Sequence, residues 1–140
     1  MTIATPAGQD LPPTDERTPR ILVVDDEPAL ADLLTLALQW EGWQVRTAGT
    51  GAEALRLADE FGPDAVLLDM MLPDFDGIEV LRRLRAAASP VPVLFLSARD
   101  DPGDRAAGLR AGAQGYLTKP FGLDDVINGI RAVMARAPAQ

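Results

Sequence analysis

The 140 residues amount to one domain's worth of chain, enough to bury roughly two thirds of the unfolded surface around a single core. With 21 acidic against 13 basic side chains the net charge is -8, which argues against the chain itself holding nucleic acid or an anionic membrane, since either would be repelled. Cysteine and histidine are both absent, which excludes disulfides, thiolate metal sites, the commonest zinc ligand and the commonest general base; any bound metal is a hard cation held by oxygen.

Residues 1–19, MTIATPAGQDLPPTDERTP, carry Pro, Thr, Asp and Ala without periodicity and are expected to form a disordered leader with too little apolar content to repay ordering. They lack the basic and apolar regions of a secretion signal, so a cytoplasmic protein is the default expectation. From Arg20 onward, short β-like runs alternate with helical ones. ILVVD (21–25) precedes PALADLLTLALQW (28–40), and WQVRTA (43–48) precedes GAEALRLADEF (51–61). DAVLLD (64–69) leads to GIEVLRRLRAAA (77–88), VPVLFLS (91–97) to DRAAGLRAG (104–112), and GYLTK (115–119) to DDVINGIRAVMAR (124–136). The first, third and fourth strands are apolar almost throughout, as parallel strands covered on both faces are. Right-handed crossovers then predict an α/β fold, a doubly wound five-stranded parallel sheet with helices on both faces, over residues 20–137. Residues 138–140 read as a tail or the start of a linker.

In such sheets ligands bind beyond the carboxyl ends of the strands. Asp25 and Asp26 close the first strand, Asp69 the third, Ser97 the fourth and Lys119 the fifth, all on that edge. Each has a plain alternative: Asp26 caps the helix starting at Pro28, Asp69 forms a turn before Leu72-Pro73-Asp74, and Lys119 is an edge-strand charge. None of these alternatives accounts for all five polar groups meeting in one crevice. At about 5 Å and an effective dielectric of about 20, each like pair among the three carboxylates costs roughly 3 kcal/mol, and Lys119 offsets only one of them. A divalent cation neutralises the set, and the all-oxygen ligands point to Mg2+, with Mn2+ as a substitute.

The pieces VVDDEP, LLDMMLPDFDG, LFLSARDD and GLRAGAQGYLTKPF, with the spacing between them, closely resemble the receiver domain of two-component response regulators, over residues 20–137. The resemblance implies the flavodoxin-like strand order 2-1-3-4-5. It implies that Asp69 accepts a phosphoryl group from a phosphohistidine on a sensor histidine kinase, in a phosphorylated signalling domain with self-catalysed phosphotransfer and autodephosphorylation. Mg2+ would be held by the side chains of Asp26 and Asp69 and by the Met71 carbonyl, with Asp25 acting through water. Lys119 would pair with one phosphoryl oxygen and Ser97 would donate its hydroxyl to another. Ser97 and Tyr116 would form the conformational switch, and the Lys119-Pro120 bond would be cis, aiming the lysine.

The motifs look most like the OmpR/PhoB winged-helix class, which implies a C-terminal DNA-binding domain outside this chain and control of transcription. Regulators of that class pair through the fourth-helix, fifth-strand, fifth-helix face using charge pairs. Here the corresponding positions are Gln114-Gly115, Gly129 and Ala107, which leaves Asp125 without its partner, so a homodimer is expected to be weak or to use another surface. A stand-alone receiver signalling by protein contact is one rival. A nucleotide-binding domain would need glycines where DDEPAL stands, and a haloacid dehalogenase-like phosphatase would need a second Asp where Met71 stands.

Overall fold

The Ile-Leu-Val-Val run after Arg20 favours extended backbone, and in the computed structural model, which describes residues 18–97, 102–118 and 120–136, it forms the first strand, β1 (Arg20–Val24). Helix α1 (Pro28–Trp40), β2 (Gln44–Ala48), α2 (Gly51–Phe61), β3 (Ala65–Asp69) and α3 (Gly77–Ala86) follow. Then come β4 (Val93–Ser97), α4 (Pro102–Arg110), β5 (Gly115–Thr118) and α5 (Leu123–Ala135). All four strand pairings are parallel, in the order β2-β1-β3-β4-β5, which is the expected doubly wound arrangement. Among the described residues no helix is long and apolar enough to cross a membrane.

The two-residue alternation of strand side chains divides the core into two layers. Leu22, Val24, Val66, Leu68, Val93 and Phe95 pack against α2 and α3. Ile21, Val23, Leu67, Leu94 and Leu96 face the other way, onto Leu34 and Leu38 of α1 and Val126, Ile130 and Val133 of α5. Strands β3 and β4 are buried along their whole length, whereas the edge strands β2 and β5 are only partly covered.

Local chemistry sets the boundaries. Thr50 accepts a hydrogen bond from the Glu53 N–H at 3.1 Å and Asp76 one from the Glu79 N–H at 2.9 Å, capping α2 and α3. Helix α4 begins at Pro102, two residues before the expected Asp104, because proline suits the first helical position. The cap of α1 is Glu27, not Asp26, and it makes no side-chain cap bond. Asp125 accepts the Gly122 N–H at 2.8 Å and so caps its own helix. The Pro19 carbonyl accepts the Gln44 N–H at 2.9 Å, so backbone pairing reaches one residue ahead of β1. Residues 1–17 of the expected leader (1–19), and the expected tail 138–140, lie outside the described residues.

Candidate functional site

Two neighbouring strands, β1 and β3, deliver the acids to one edge. Asp25 lies one residue past β1 and still donates its N–H to the Ala48 carbonyl at 3.0 Å, so the ladder holds it rigidly. Asp69 is the last residue of β3. Carboxylate oxygens of Asp25, Asp26 and Asp69 lie within 4.8 Å of one another, with Asp25 and Asp69 buried and Asp26 exposed. Asp25 accepts the Glu27 N–H at 2.9 Å, and Asp69 the Met71 N–H at 3.2 Å. Both bonds occupy one oxygen, Oδ1, of each carboxylate. Such a set, all oxygen and carrying three negative charges, fits a hard divalent cation, and a chain without His or Cys offers no softer ligand.

Ser97 ends β4 and is buried, opposite Thr118 of β5. Tyr116 is half-buried on β5, its ring centroid 6.3 Å from that of Phe95, and the Arg105 guanidinium of α4 lies 5.3 Å from the Tyr116 ring. Four of the five residues singled out at the sheet edge, Asp25, Asp26, Asp69 and Ser97, thus stand at its carboxyl end. Lys119 and the Lys119-Pro120 bond lie outside the described residues.

The loop after Asp69 has supports that the sequence reading did not assign. Asp74 accepts the N–H of Gly51 at 2.8 Å, of Ala52 at 2.9 Å and of Phe75 at 2.9 Å, tying the loop to the start of α2. The Gly51 N–H above all, helped by those of Ala52 and Phe75 and opposed by partial desolvation, holds the Asp74 carboxyl below its ordinary range. Gly77 opens α3 and donates to the Met70 carbonyl at 2.8 Å. A Cβ on Gly77 would stand 2.6 Å from the Asp69 carbonyl oxygen and 2.9 Å from the Phe95 ring, so only glycine lets α3 begin this close to the end of β3. An Asp following Pro five residues after a strand-end acid was the available signal for Asp74, but nothing local marks its reach to another helix. At the far edge Arg85 donates to the carbonyls of Ser89 at 3.0 Å, Val91 at 2.8 Å and Gly112 at 2.8 Å.

Fold and crevice together define a doubly wound α/β domain with an acidic, oxygen-lined pocket at the carboxyl edge of a parallel sheet. Residues 21–131 match the response regulator receiver domain family, and the chain belongs to it. It is 49% identical over 118 residues to the transcriptional regulatory protein TrcR of Mycobacterium tuberculosis, covering 84% of this chain and 46% of that protein. To the response regulator MprA of Mycobacterium leprae it is 45% identical over 117 residues, covering 84% of this chain and 51% of the relative. The chain therefore spans about half the length of the curated relatives it matches. The receiver domain of the Francisella response regulator 1452 superposes with a TM-score of 0.80 at 34% identity, covering 85% of this chain and 98% of that one. The chemotaxis protein CheY4 of Vibrio cholerae superposes with a TM-score of 0.79 at 29% identity, covering 83% and 98% respectively. Family membership sets aside the nucleotide-binding and haloacid dehalogenase-like alternatives.

Proposed function

We propose that Asp69 is the phosphoacceptor of this receiver domain. The observation that carries the proposal is a buried carboxylate at the end of a central strand with two further carboxylates within 4.8 Å. Membership of the receiver family supports a phosphohistidine on a sensor histidine kinase as the donor, and without a histidine of its own the chain takes the acceptor's part. In the transfer an Asp69 carboxylate oxygen bonds to phosphorus, the P–N bond breaks with its electron pair on the imidazole, and that nitrogen takes a proton from solvent. An acyl phosphate results. Hydrolysis by the same pocket would return Asp69 to a carboxylate. Phosphoryl transfer asks for positioned charge more than for acid-base groups, so a pocket without histidine is adequate.

Asp26 and Asp69, with the Met71 carbonyl, would hold Mg2+ (or Mn2+) directly, and Asp25 would act through water. When bound, the ion supplies the positive charge that offsets the carboxylates and the transferring group. Lys119 would contribute a second positive charge, and the Ser97 hydroxyl a hydrogen bond to a phosphoryl oxygen. The switch reading rests on Ser97 and Tyr116 occupying the ends and middle of paired strands: drawing Ser97 inward would free space for the Tyr116 ring, biasing a two-state equilibrium. Output to a DNA-binding domain beyond this chain is supported by relatives described as transcriptional regulators.

Pairing through the α4–β5–α5 face is proposed to be weak. A Cβ on Gly129 would lie 2.8 Å from Leu94 Cδ2, so this position serves close helix packing where the class uses an arginine. The proposal as a whole is tested by incubating the chain with acetyl phosphate and Mg2+: the parent should gain one phosphoryl group and Asp69→Asn none, with both retaining the same circular dichroism. Stable label on Asp69→Asn would move the acceptor elsewhere.

A further inference from the structure

The loop that joins β3 to α3 is pinned at two places. At its start the Met71 N–H donates to the Asp69 carboxylate at 3.2 Å, and the Met70 carbonyl accepts the Gly77 N–H at 2.8 Å. Further along, Asp74 is exposed to solvent, yet both of its oxygens accept backbone N–H groups of α2: Oδ1 that of Gly51 at 2.8 Å, Oδ2 that of Ala52 at 2.9 Å. Thr50 takes only the Glu53 N–H, so Asp74 supplies the acceptors that the local cap of α2 does not. The Phe75 ring lies on the same turn, where a Cβ on Gly51 would meet it at 2.5 Å, and the Arg83 guanidinium stands 4.4 Å from that ring. Between the two anchors are Leu72 and Pro73 alone. Proline fixes its own φ and keeps Leu72 out of helical backbone, and Leu72 packs against the core, so this link is stiff. Met71 adds little anchorage of its own, its side chain being 66% exposed.

We propose that Asp74 is a positioning residue for the cation site: by clamping the loop onto α2 it fixes where the Met71 carbonyl stands relative to Asp26 and Asp69. The inference rests on the reading of that carbonyl as a ligand of Mg2+. A helix cap needs one oxygen and ordinarily comes from the residue beside the helix. Here acceptor and donors lie 23 and 22 positions apart, and the chain between them includes the strand end that bears Asp69, so the contact joins two elements instead of finishing one. The clamp calls for a carboxylate, because an amide would turn its NH2 toward one of the two N–H donors. The positive end of the helix dipole favours the same charge. A cation held at Met71 and a clamp at Asp74 stabilise one loop position, so each strengthens the other, and Mg2+ should in turn protect the Gly51 and Ala52 amides.

The test is calorimetric titration of the full 140-residue chain with Mg2+ at neutral pH, well below the unfolding temperature. The parent is compared with Asp74→Ala, Asp74→Asn, Asp26→Asn and Arg85→Lys, the last weakened at the opposite edge of the sheet. Asp74→Ala should raise the Kd for Mg2+ by roughly 10-fold or more, the loss usual for a residue that orients a metal ligand. Asp74→Asn should raise it by less, and being isosteric it serves if the alanine variant fails to fold. Arg85→Lys should keep the parent's Kd, since it lowers stability without touching the loop. Amide exchange followed by NMR should show Mg2+ slowing Gly51 and Ala52 in the parent and not in Asp74→Ala. The parent's Kd in both Asp74 variants, with Asp26→Asn still losing Mg2+, would overturn the positioning role and leave the cation site standing. Equal losses in Asp74→Ala and Arg85→Lys would reduce Asp74 to a contributor to stability and overturn it likewise. A parent that binds no Mg2+, or Asp26→Asn binding it as tightly as the parent, would overturn the cation site and this proposal with it.

Discussion

Replacing Asp26 by Asn removes one charge from the carboxylate cluster while keeping its shape. Asp25 and Asp69 each bring a carboxylate oxygen within 4.8 Å of Asp26, so two like-charge pairs disappear at once. Each pair is worth about 3 kcal/mol at an effective dielectric of 20 and under about 1 kcal/mol in bulk water. Asp26 is exposed, which places its pairs near the aqueous limit, about 1–2 kcal/mol together. For a domain of this size that corresponds to a rise in Tm of roughly 4–8 °C, largest at low ionic strength. Thermal unfolding followed by circular dichroism in EDTA reads this directly. Adding Mg2+ should then raise the Tm of the parent and have little effect on Asp26→Asn, with Asp25→Asn retaining more of the response, since Asp25 is expected to act through water. A lowered Tm for Asp26→Asn in EDTA, or a full Mg2+ response, would refute the assignment of this cluster as a strained cation site.

Gly77→Ala should destabilise the domain by about 2–3 kcal/mol, because the added Cβ meets the Asp69 carbonyl and the Phe95 ring and the start of α3 must shift; chemical denaturation measures it, and a loss under about 0.5 kcal/mol would contradict the close packing. Arg85→Lys should cost about 2 kcal/mol, since an ammonium cannot reach the three carbonyls that the planar guanidinium spans, and urea midpoints at constant slope would report it. The Asp74 carboxyl is held below its ordinary value of 3.8, so its contribution is present above that pH and is lost as pH falls through the lowered value. The stability difference between the parent and Asp74→Ala should therefore be full at pH 6 and shrink below pH 4. A difference that stays constant into acid would remove the carboxylate from the account.

Much of this was legible because the sheet is parallel. A strand covered on both faces has to be apolar almost throughout, so the residue at which it turns polar marks the carboxyl edge, and Asp25, Asp69 and Ser97 could be placed there from the sequence alone. The strand order came through the family resemblance of VVDDEP and LLDMMLPDFDG, since local patterns do not encode which strands are neighbours. Asp74 was assigned no role because its partners, the N–H groups of Gly51 and Ala52, lie more than twenty positions away. Nothing in RRLRA singles out Arg85 from its neighbours. Its partners include the Gly112 carbonyl, 27 residues distant, which no helical periodicity reveals. The alternative reading of Asp26 as the cap of α1 fails because the residue before the helix is Glu27, so Asp26 stands one residue too early to cap it. Charge substitution at Gly129, a natural choice for probing the fourth-helix face from sequence, would disturb Leu94 in the core, so Ala107 is the better position.

The central claim is that Asp69 is the residue that receives the phosphoryl group, and the most direct measurement is to locate it. The chain is labelled with acetyl phosphate and Mg2+, the acyl phosphate is trapped by borohydride reduction, and the modified position is read by peptide mass spectrometry. Reduction confined to Asp69, and absent from the Asp69→Asn variant, is the expected result. Modification at Asp25, Asp26 or Ser97 in its place, or a parent chain that gains no phosphoryl group although Mg2+ raises its Tm, would contradict the account.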